Sequence, residues 1–219
     1  MNCLIVGGTA GLGLELAKKL QPIYQTVHIV GRTDPEVESL TFKQMDLHSA
    51  TIIEDIDTYI KDIPTIDLLV HAPGFYQEGT VTDLSTDEIN QMVNVCLMSA
   101  VWFTRSILGK QLSLPAFVAV TSTSQYTPRL LEPIYTIAKA GLGAYANSLS
   151  LDKRVCKTLV AGPAGMKTKF HEGREVNMST YLDPQWVASE IIELLDGEYS
   201  YKYARILREP AHSEIKELR

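Results

Sequence analysis

Tyr135 and Lys139, four residues apart in Tyr-Thr-Ile-Ala-Lys, are the pair in this 219-residue chain whose types and spacing point most directly to chemistry. On a helix that spacing puts both side chains on one face, one turn apart. A phenol titrates near pKa ~10, too high for ready proton exchange at neutral pH, and a neighbouring cation favours its ionised form. Tyr135 is thereby expected to protonate a carbonyl oxygen, or to take the proton of an alcohol in the reverse direction. Tyr-x3-Lys is a common accident, so its weight depends on its company.

The second constellation is the run Val6-Gly7-Gly8-Thr9-Ala10-Gly11-Leu12-Gly13. Glycines at 7, 11 and 13 fall between an apolar stretch, Cys3-Leu4-Ile5-Val6, and a helix marked by Leu12, Leu16 and Leu20. Such glycines let backbone N–H groups approach a pyrophosphate, and the positive end of the following helix dipole favours the anion. The spacing is G-x3-G-x-G rather than the more familiar GxGxxG. Gly7, Thr9, Gly11, Leu12 and Gly13 are the positions expected at a dinucleotide.

Both constellations need a scaffold. Strand-length apolar runs at 26–31, 40–45, 66–70, 116–120, 155–160 and 203–207 alternate with helical patterns. Ser85 and Glu88 have capping-box spacing and announce a long helix over 86–109, apolar around much of its circumference. A further helix covers 133–151, and Asp183-Pro184 opens the last one, which Gly197 ends. Apolar strands separated by amphipathic helices imply an α/β fold with a parallel sheet covered on both faces. With no repeat and no linker, residues 1–219 read as a single domain.

Composition narrows the function. A hydrophobic fraction of 45% supports a sizeable core, and a net charge of −6 without a basic cluster argues against nucleic acid as a partner. No apolar run reads as a membrane span, and a strand beginning at Asn2 leaves no room for a leader, so cytoplasmic residence is expected. Cys3, Cys96 and Cys156 form no paired motif and are expected to be small buried hydrophobes. The five histidines lack metal-ligand spacing, so no metal is expected.

The glycine turn and the Tyr-x3-Lys pair together resemble the short-chain dehydrogenase/reductase family over residues 2–210. The resemblance implies a Rossmann fold, a doubly wound sheet of about seven parallel strands with helices on both faces. It implies that Lys139 also holds the nicotinamide ribose. Ser122, thirteen residues before Tyr135, matches the family serine that holds the substrate oxygen, with Ser124, Thr123 and Thr121 as competitors. Asn94 matches the asparagine that holds a water leading from the lysine to solvent. Asp46 matches an aspartate at the adenine edge, and serves equally as a capping residue. Gly74 and Pro163 match cofactor-shaping positions, and Thr168 a threonine on the nicotinamide side. Two departures stand out. His71-Ala72-Pro73-Gly74 replaces Asn-Asn-Ala-Gly, and Ala164 stands where the family has glycine after Pro163.

The second strand ends Val30-Gly31-Arg32, with no acid for the ribose hydroxyls. A guanidinium there suits a 2′-phosphate, so NADP(H) is expected over NAD(H), although Asp34 brings a carboxylate close and Arg32 is otherwise a solvated loop residue. Residues 166–183 are expected to form a substrate lid, whose Lys167, Lys169, His171 and Arg174 suit an anionic substrate or simply a solvated loop. Tyr76, Gln125 and Tyr126 are further candidates to line the pocket. The reading is an NADP(H)-dependent oxidoreductase acting on a small carbonyl or alcohol substrate, assembled as a homodimer or homotetramer through the 86–109 and 133–151 helices. The alternative of another class is a nucleotide sensor of the same fold without turnover. A sugar-nucleotide epimerase is disfavoured by the short stretch after Thr168.

Overall fold

The computed structural model describes residues 1–172 and 176–219, without the side chain of His171. In β1 (Asn2–Val6) Cys3 and Ile5 point into one apolar layer and Leu4 and Val6 into the other, all fully buried. One layer is closed by α1 (Gly11–Leu20) and α6 (Pro184–Leu195), through Leu12, Leu16, Leu20, Val187 and Ile191. The other is closed by α2 (Ile52–Asp62), α4 (Ser99–Lys110) and α5 (Pro133–Leu149), through Ile52, Ile56, Ile60, Phe103, Ile107 and Leu142. Each such side chain contributes roughly 1.5–3 kcal/mol on full burial, which is why cover is needed on both faces.

The remaining strands are β2 (Thr26–Gly31), β3 (Thr41–Gln44), β4 (Leu68–His71), β5 (Ala116–Val120), β6 (Thr158–Pro163), β7 (Tyr201–Arg208) and β8 (Ala211–Leu218). They form one sheet in the order β3-β2-β1-β4-β5-β6-β7-β8. β1 to β7 are parallel. The chain reverses direction across the sheet at β1, between β2 and β4. Open α/β sheets bind ligands at such a switch point, beyond the carboxyl ends of the strands. Val6 lies opposite both Val30 and His71, so the turns after β1 and β4 emerge side by side.

The expected architecture is present, with four differences. β8 is an eighth strand, antiparallel to β7, over the polar residues that follow the expected final strand. It is mostly exposed and lacks the apolar run by which a buried strand is recognised. The helix expected over 86–109 is divided into α3 (Thr86–Val93), a π-helical turn at Asn94–Met98, and α4. Its Ser85–Glu88 capping box is fully formed. Residues 86–110 are also, by length and composition, long and apolar enough to cross a membrane, contrary to the sequence reading. Met92, Cys96, Ala100, Phe103 and Ile107 of this stretch are each 0% exposed in the protein's own core. Finally, Cys3 and Cys96 are buried as expected but Cys156 is exposed, because β6 begins only at Thr158.

Candidate active site

The turn after β1 is pinned to β2, Gly7 and Gly8 both donating their N–H to the Val30 carbonyl at 2.9 and 3.2 Å. Gly7 has φ +77°, and a Cβ there would stand 2.7 Å from the backbone of Pro73. A Cβ on Gly13 would stand 2.1 Å from the Gly7 carbonyl oxygen, so α1 approaches the turn this closely only on glycine. Ala10, the N-cap of α1, contributes no side-chain hydrogen bond. The first-turn N–H groups and the positive helix end face a cleft of about 1700 Å³ bordered by Gly7, Thr9, Gly11, Leu12 and Gly13. That donor set fits a pyrophosphate.

Farther along the same wall, a side chain at Gly31 would collide with Thr9, whose Oγ1 lies 2.4 Å from the Cβ position. Steric crowding therefore disfavours an acid at this strand end, and exposed Arg32 borders the cleft next to it. Asp34 is turned to a local role, its Oδ1 accepting the Glu36 N–H at 2.8 Å. Asp46 borders the cleft and accepts the His48 N–H at 3.0 Å, so it caps a turn while exposed to a ligand. The N-cap of α2 is Thr51 instead.

At the cleft's other end, Pro133 occupies the first turn of α5 and sets the phase of Tyr135 and Lys139, both buried. Lys139 Nζ is 5.8 Å from the Tyr135 ring centroid and donates to the Pro73 and Val120 carbonyls, each at 3.0 Å. Pro73 has no N–H to offer, yet its carbonyl anchors the lysine. Ser122 borders the cleft with Tyr135 and acts to lower the phenol's pKa, while its hydroxyl donates to Ser124 Oγ and accepts the Ser124 N–H, both at 3.1 Å. Its rivals are engaged elsewhere. Thr121 donates to the Ala161 carbonyl at 3.2 Å, Thr123 accepts from Arg129 at 3.4 Å, and Ser124 donates to Glu132 at 2.7 Å.

Burial governs the ionisation of this cluster. It pushes the Tyr135 phenol far above its ordinary range, with the Cys96 thiol adding in the same sense and Ser122 opposing. It pushes the Lys139 ammonium down. The sequence argument, in which the lysine depresses the phenol, is overridden here by desolvation, which disfavours each charged form on its own.

Asn94 opens the π-helical turn and does not border the cleft. Its amide donates to His48 Nδ1 at 3.3 Å, and His48 Nε2 meets Asp87 at 3.2 Å. His71, where the family has asparagine, is fully buried and bonds Ser99 of α4 at 2.7 Å. Since the Ser99 hydroxyl donates to the Val95 carbonyl, His71 Nε2 is the donor. Burial first, and then Lys139, keeps its pKa well below the usual histidine value, so the ring is neutral.

The 166–183 segment is tied at its base, Lys167 N–H donating to the Leu182 carbonyl and Leu182 N–H to the Gly165 carbonyl, at 2.9 and 3.0 Å. Pro163 ends β6, buried. Thr168 packs on Gly11 and caps a short turn, accepting from Phe170 N–H at 3.3 Å, which places it by the glycine turn. Phe170, which sequence reasoning did not single out, reaches the phenol. Its ring centroid is 5.8 Å from that of Tyr135 and 5.9 Å from that of Tyr76, and a Cβ at Gly74 would touch it at 2.9 Å. Tyr76 and Tyr126 border the cleft as expected. Gln125 does not, because its amide donates to Tyr203 at 2.6 Å. Lys167 and Lys169 are exposed at the cleft, while Arg174 lies outside the described residues, as does the His171 side chain. Arg129 and Glu132 also border the cleft and were not foreseen, since nothing local distinguishes them from a surface ion pair three residues apart.

A family model described as short chain dehydrogenase matches residues 2–177. An uncharacterized oxidoreductase of Staphylococcus epidermidis is 22% identical, over 98% of this chain and 94% of its own length. The 3-oxoacyl-acyl-carrier-protein reductase of Buchnera aphidicola is 23% identical, over 91% of each chain. Among solved structures, a short-chain dehydrogenase from Sphingobium yanoikuyae in complex with NADPH superposes with a TM-score of 0.77. It is 16% identical, over 88% of this chain and 83% of that one.

Proposed function

Because the chain belongs to the short-chain dehydrogenase/reductase family of oxidoreductases, we propose that it moves hydride between NADP(H) and a small carbonyl or alcohol substrate, with Tyr135 exchanging the proton on oxygen. The observation that carries this reading is the pairing of buried Tyr135 with Lys139 Nζ, 5.8 Å from its ring centroid, with Ser122 on the same wall of a cleft that begins on the glycine turn. Gly7, Thr9, Gly11, Leu12 and Gly13 would hold the pyrophosphate, Arg32 the 2′-phosphate and Asp46 the adenine edge. Gly74, Pro163 and Thr168 would shape the remainder of the cofactor site, with Lys139 on the ribose. When bound, the nicotinamide ring supplies or accepts the hydride.

Tyr135 then donates its phenolic proton to the carbonyl oxygen as carbon becomes an alcohol, and Ser122 orients that oxygen. Lys139 stabilises the resulting phenolate, and Asn94 is assigned to the water path that returns the proton. Tyr76 and Phe170 keep bulk water from the phenol, which strengthens each of these interactions. Because burial raises the phenol pKa, Tyr135 is protonated at neutral pH. Carbonyl reduction suits that form, and alcohol oxidation, which needs phenolate, is expected to rise toward alkaline pH. Assay of NADPH consumption across aldehydes and ketones tests the reading. Nucleotide binding without consumption anywhere on the panel would contradict it.

The NADP(H) preference rests on Arg32 and on the crowding that disfavours an acid at Gly31. Arg32→Ala is expected to weaken NADPH binding about 10- to 100-fold, the value of a charge-assisted contact, and to change NADH binding less than about twofold. Fluorescence titration with both nucleotides measures this, and equal effects on the two would refute the assignment. A homodimer or homotetramer is proposed through α4 and α5, whose Val101, Trp102, Leu108, Tyr145 and Leu149 are only partly covered. Light scattering at micromolar concentration should give at least twice the chain mass, and a monomer alone would exclude this assembly.

A further inference from the structure

The cleft wall beside Ser122 carries a charged pair held more firmly than a surface ion pair needs. Arg129 commits three of its five N–H groups to the protein. Nη1 bonds Ser124 Oγ in a short contact and Glu132 Oε2 at 3.0 Å, and Nη2 bonds Thr123 Oγ1 at 3.4 Å. Nε and one Nη2 N–H remain. Glu132 accepts from Arg129 and, at 2.7 Å, from Ser124, both on Oε2, so Oε1 remains as well. The two side chains border the cleft, 41% and 17% exposed. An exposed ion pair adds little stability, whereas these four hydrogen bonds fix both groups in one orientation. Ser124 Oγ, which both charges touch, lies 3.1 Å from Ser122 Oγ. The pair therefore stands one hydroxyl beyond the group proposed to hold the substrate oxygen. That spacing suits a second oxygen on the neighbouring carbon.

We propose that Arg129 and Glu132 select the substrate as an α-hydroxy carbonyl compound, whose hydroxyl donates to Glu132 Oε1 and accepts from Arg129 Nε or Nη2. The proposal deepens the oxidoreductase reading and rests on carbonyl reduction at Tyr135. Hydride passes from NADPH to the carbonyl carbon and the Tyr135 proton to its oxygen, so the product is a vicinal diol. A hydroxyl fits because it has one proton and two lone pairs, matching an acceptor placed beside donors. A carboxylate has no proton to give Glu132 and would bring a like charge against it. A plain alkyl group would leave both charged groups facing it without partners, which is how a site built for a hydroxyl rejects an analogue lacking one. The side chains packed on the Tyr135 ring, Tyr76 and Phe170, are aromatic. The charged pair is what gives this end of the cleft its directional contacts.

The test compares matched substrates in the full-length protein with NADPH, hydroxyacetone against acetone and 1-hydroxy-2-butanone against butanone. Wild type should favour the hydroxylated member in kcat/KM by about 10- to 100-fold, the value of a hydrogen bond to a charged group. The ketol's own reactivity is common to every variant, so the change in this ratio is the readout. Arg129→Met and Glu132→Met should each lower it by about tenfold, chiefly through KM for the ketol. Residues that only shaped the cleft would move both members alike, so an unchanged ratio in the two variants overturns the proposal. Preference for pyruvate over hydroxyacetone overturns it too. Should a methionine variant not fold, Glu132→Gln, which loses the charge and keeps the shape, decides by a fall of about threefold or more. If no carbonyl turns over, the oxidoreductase reading fails and binding decides this one. Saturation-transfer NMR with NADP present should then show contact with 1,2-propanediol, weakened in Glu132→Gln, and less with 1-propanol. Equal signals from the two alcohols would overturn the selection of a second hydroxyl.

Discussion

Tyr135→Phe is expected to lower kcat for carbonyl reduction by at least about a hundredfold while NADPH binding stays within about twofold of wild type. The size follows from the 10²–10⁴ range typical of positioned acid–base groups. The substitution removes one oxygen from a ring that is otherwise held by Tyr76 and Phe170, with centroids 5.3 and 5.8 Å away. Those contacts survive, so the fold and the cleft should too. Steady-state kinetics beside a nucleotide titration separates the two effects. A variant with wild-type kcat would remove Tyr135 from the chemistry, and one that loses NADPH as well would show the ring to be structural.

Gly13→Ala should weaken NADPH binding by more than tenfold and lower the melting temperature. The new Cβ would lie 2.1 Å from the Gly7 carbonyl oxygen, far inside contact distance, and the obstacle is backbone rather than a side chain that can swing away. Either α1 or the glycine turn must move, and both border the proposed phosphate site. Gly109→Ala is the matched control. A Cβ there meets nothing within 4 Å, so the loss of chain entropy in the unfolded state should stabilise by about 0.4–1 kcal/mol. Equal effects of the two alanines on nucleotide binding would contradict the role given to the turn.

The sheet was legible in the sequence because its strands are apolar on both faces, and that signal is strong in runs such as Cys3–Val6 and 116–120. β8 escaped for the converse reason. As an edge strand it has no buried face to advertise itself. The π-helical turn at Asn94–Met98 was hidden because one extra residue per turn hardly disturbs a pattern that is apolar almost all round. In the candidate site, residues whose meaning is local could be read directly, as with the glycines after β1 and the Tyr135–Lys139 spacing. Residues whose meaning comes from tertiary neighbours could not. Phe170 is one aromatic residue in a polar segment until the fold lays it on Tyr76. Gln125 lies next to Tyr126 in sequence, yet the turn sends one amide to Tyr203 and leaves the other side chain at the cleft. The direction of the Tyr135 shift was also beyond reach, since burial is set by the whole structure while the lysine's proximity is set by four residues.

The most direct test of hydride transfer is to supply NADPH deuterated at the transferable position together with the carbonyl panel, and to weigh the alcohol products. Product one mass unit heavier than its protiated counterpart is the expected result, with at least about a hundredfold less of it formed per unit time by Tyr135→Phe. Unlabelled alcohol, or none at all from a protein that demonstrably binds NADPH, would contradict transfer at this site and leave a nucleotide-binding scaffold.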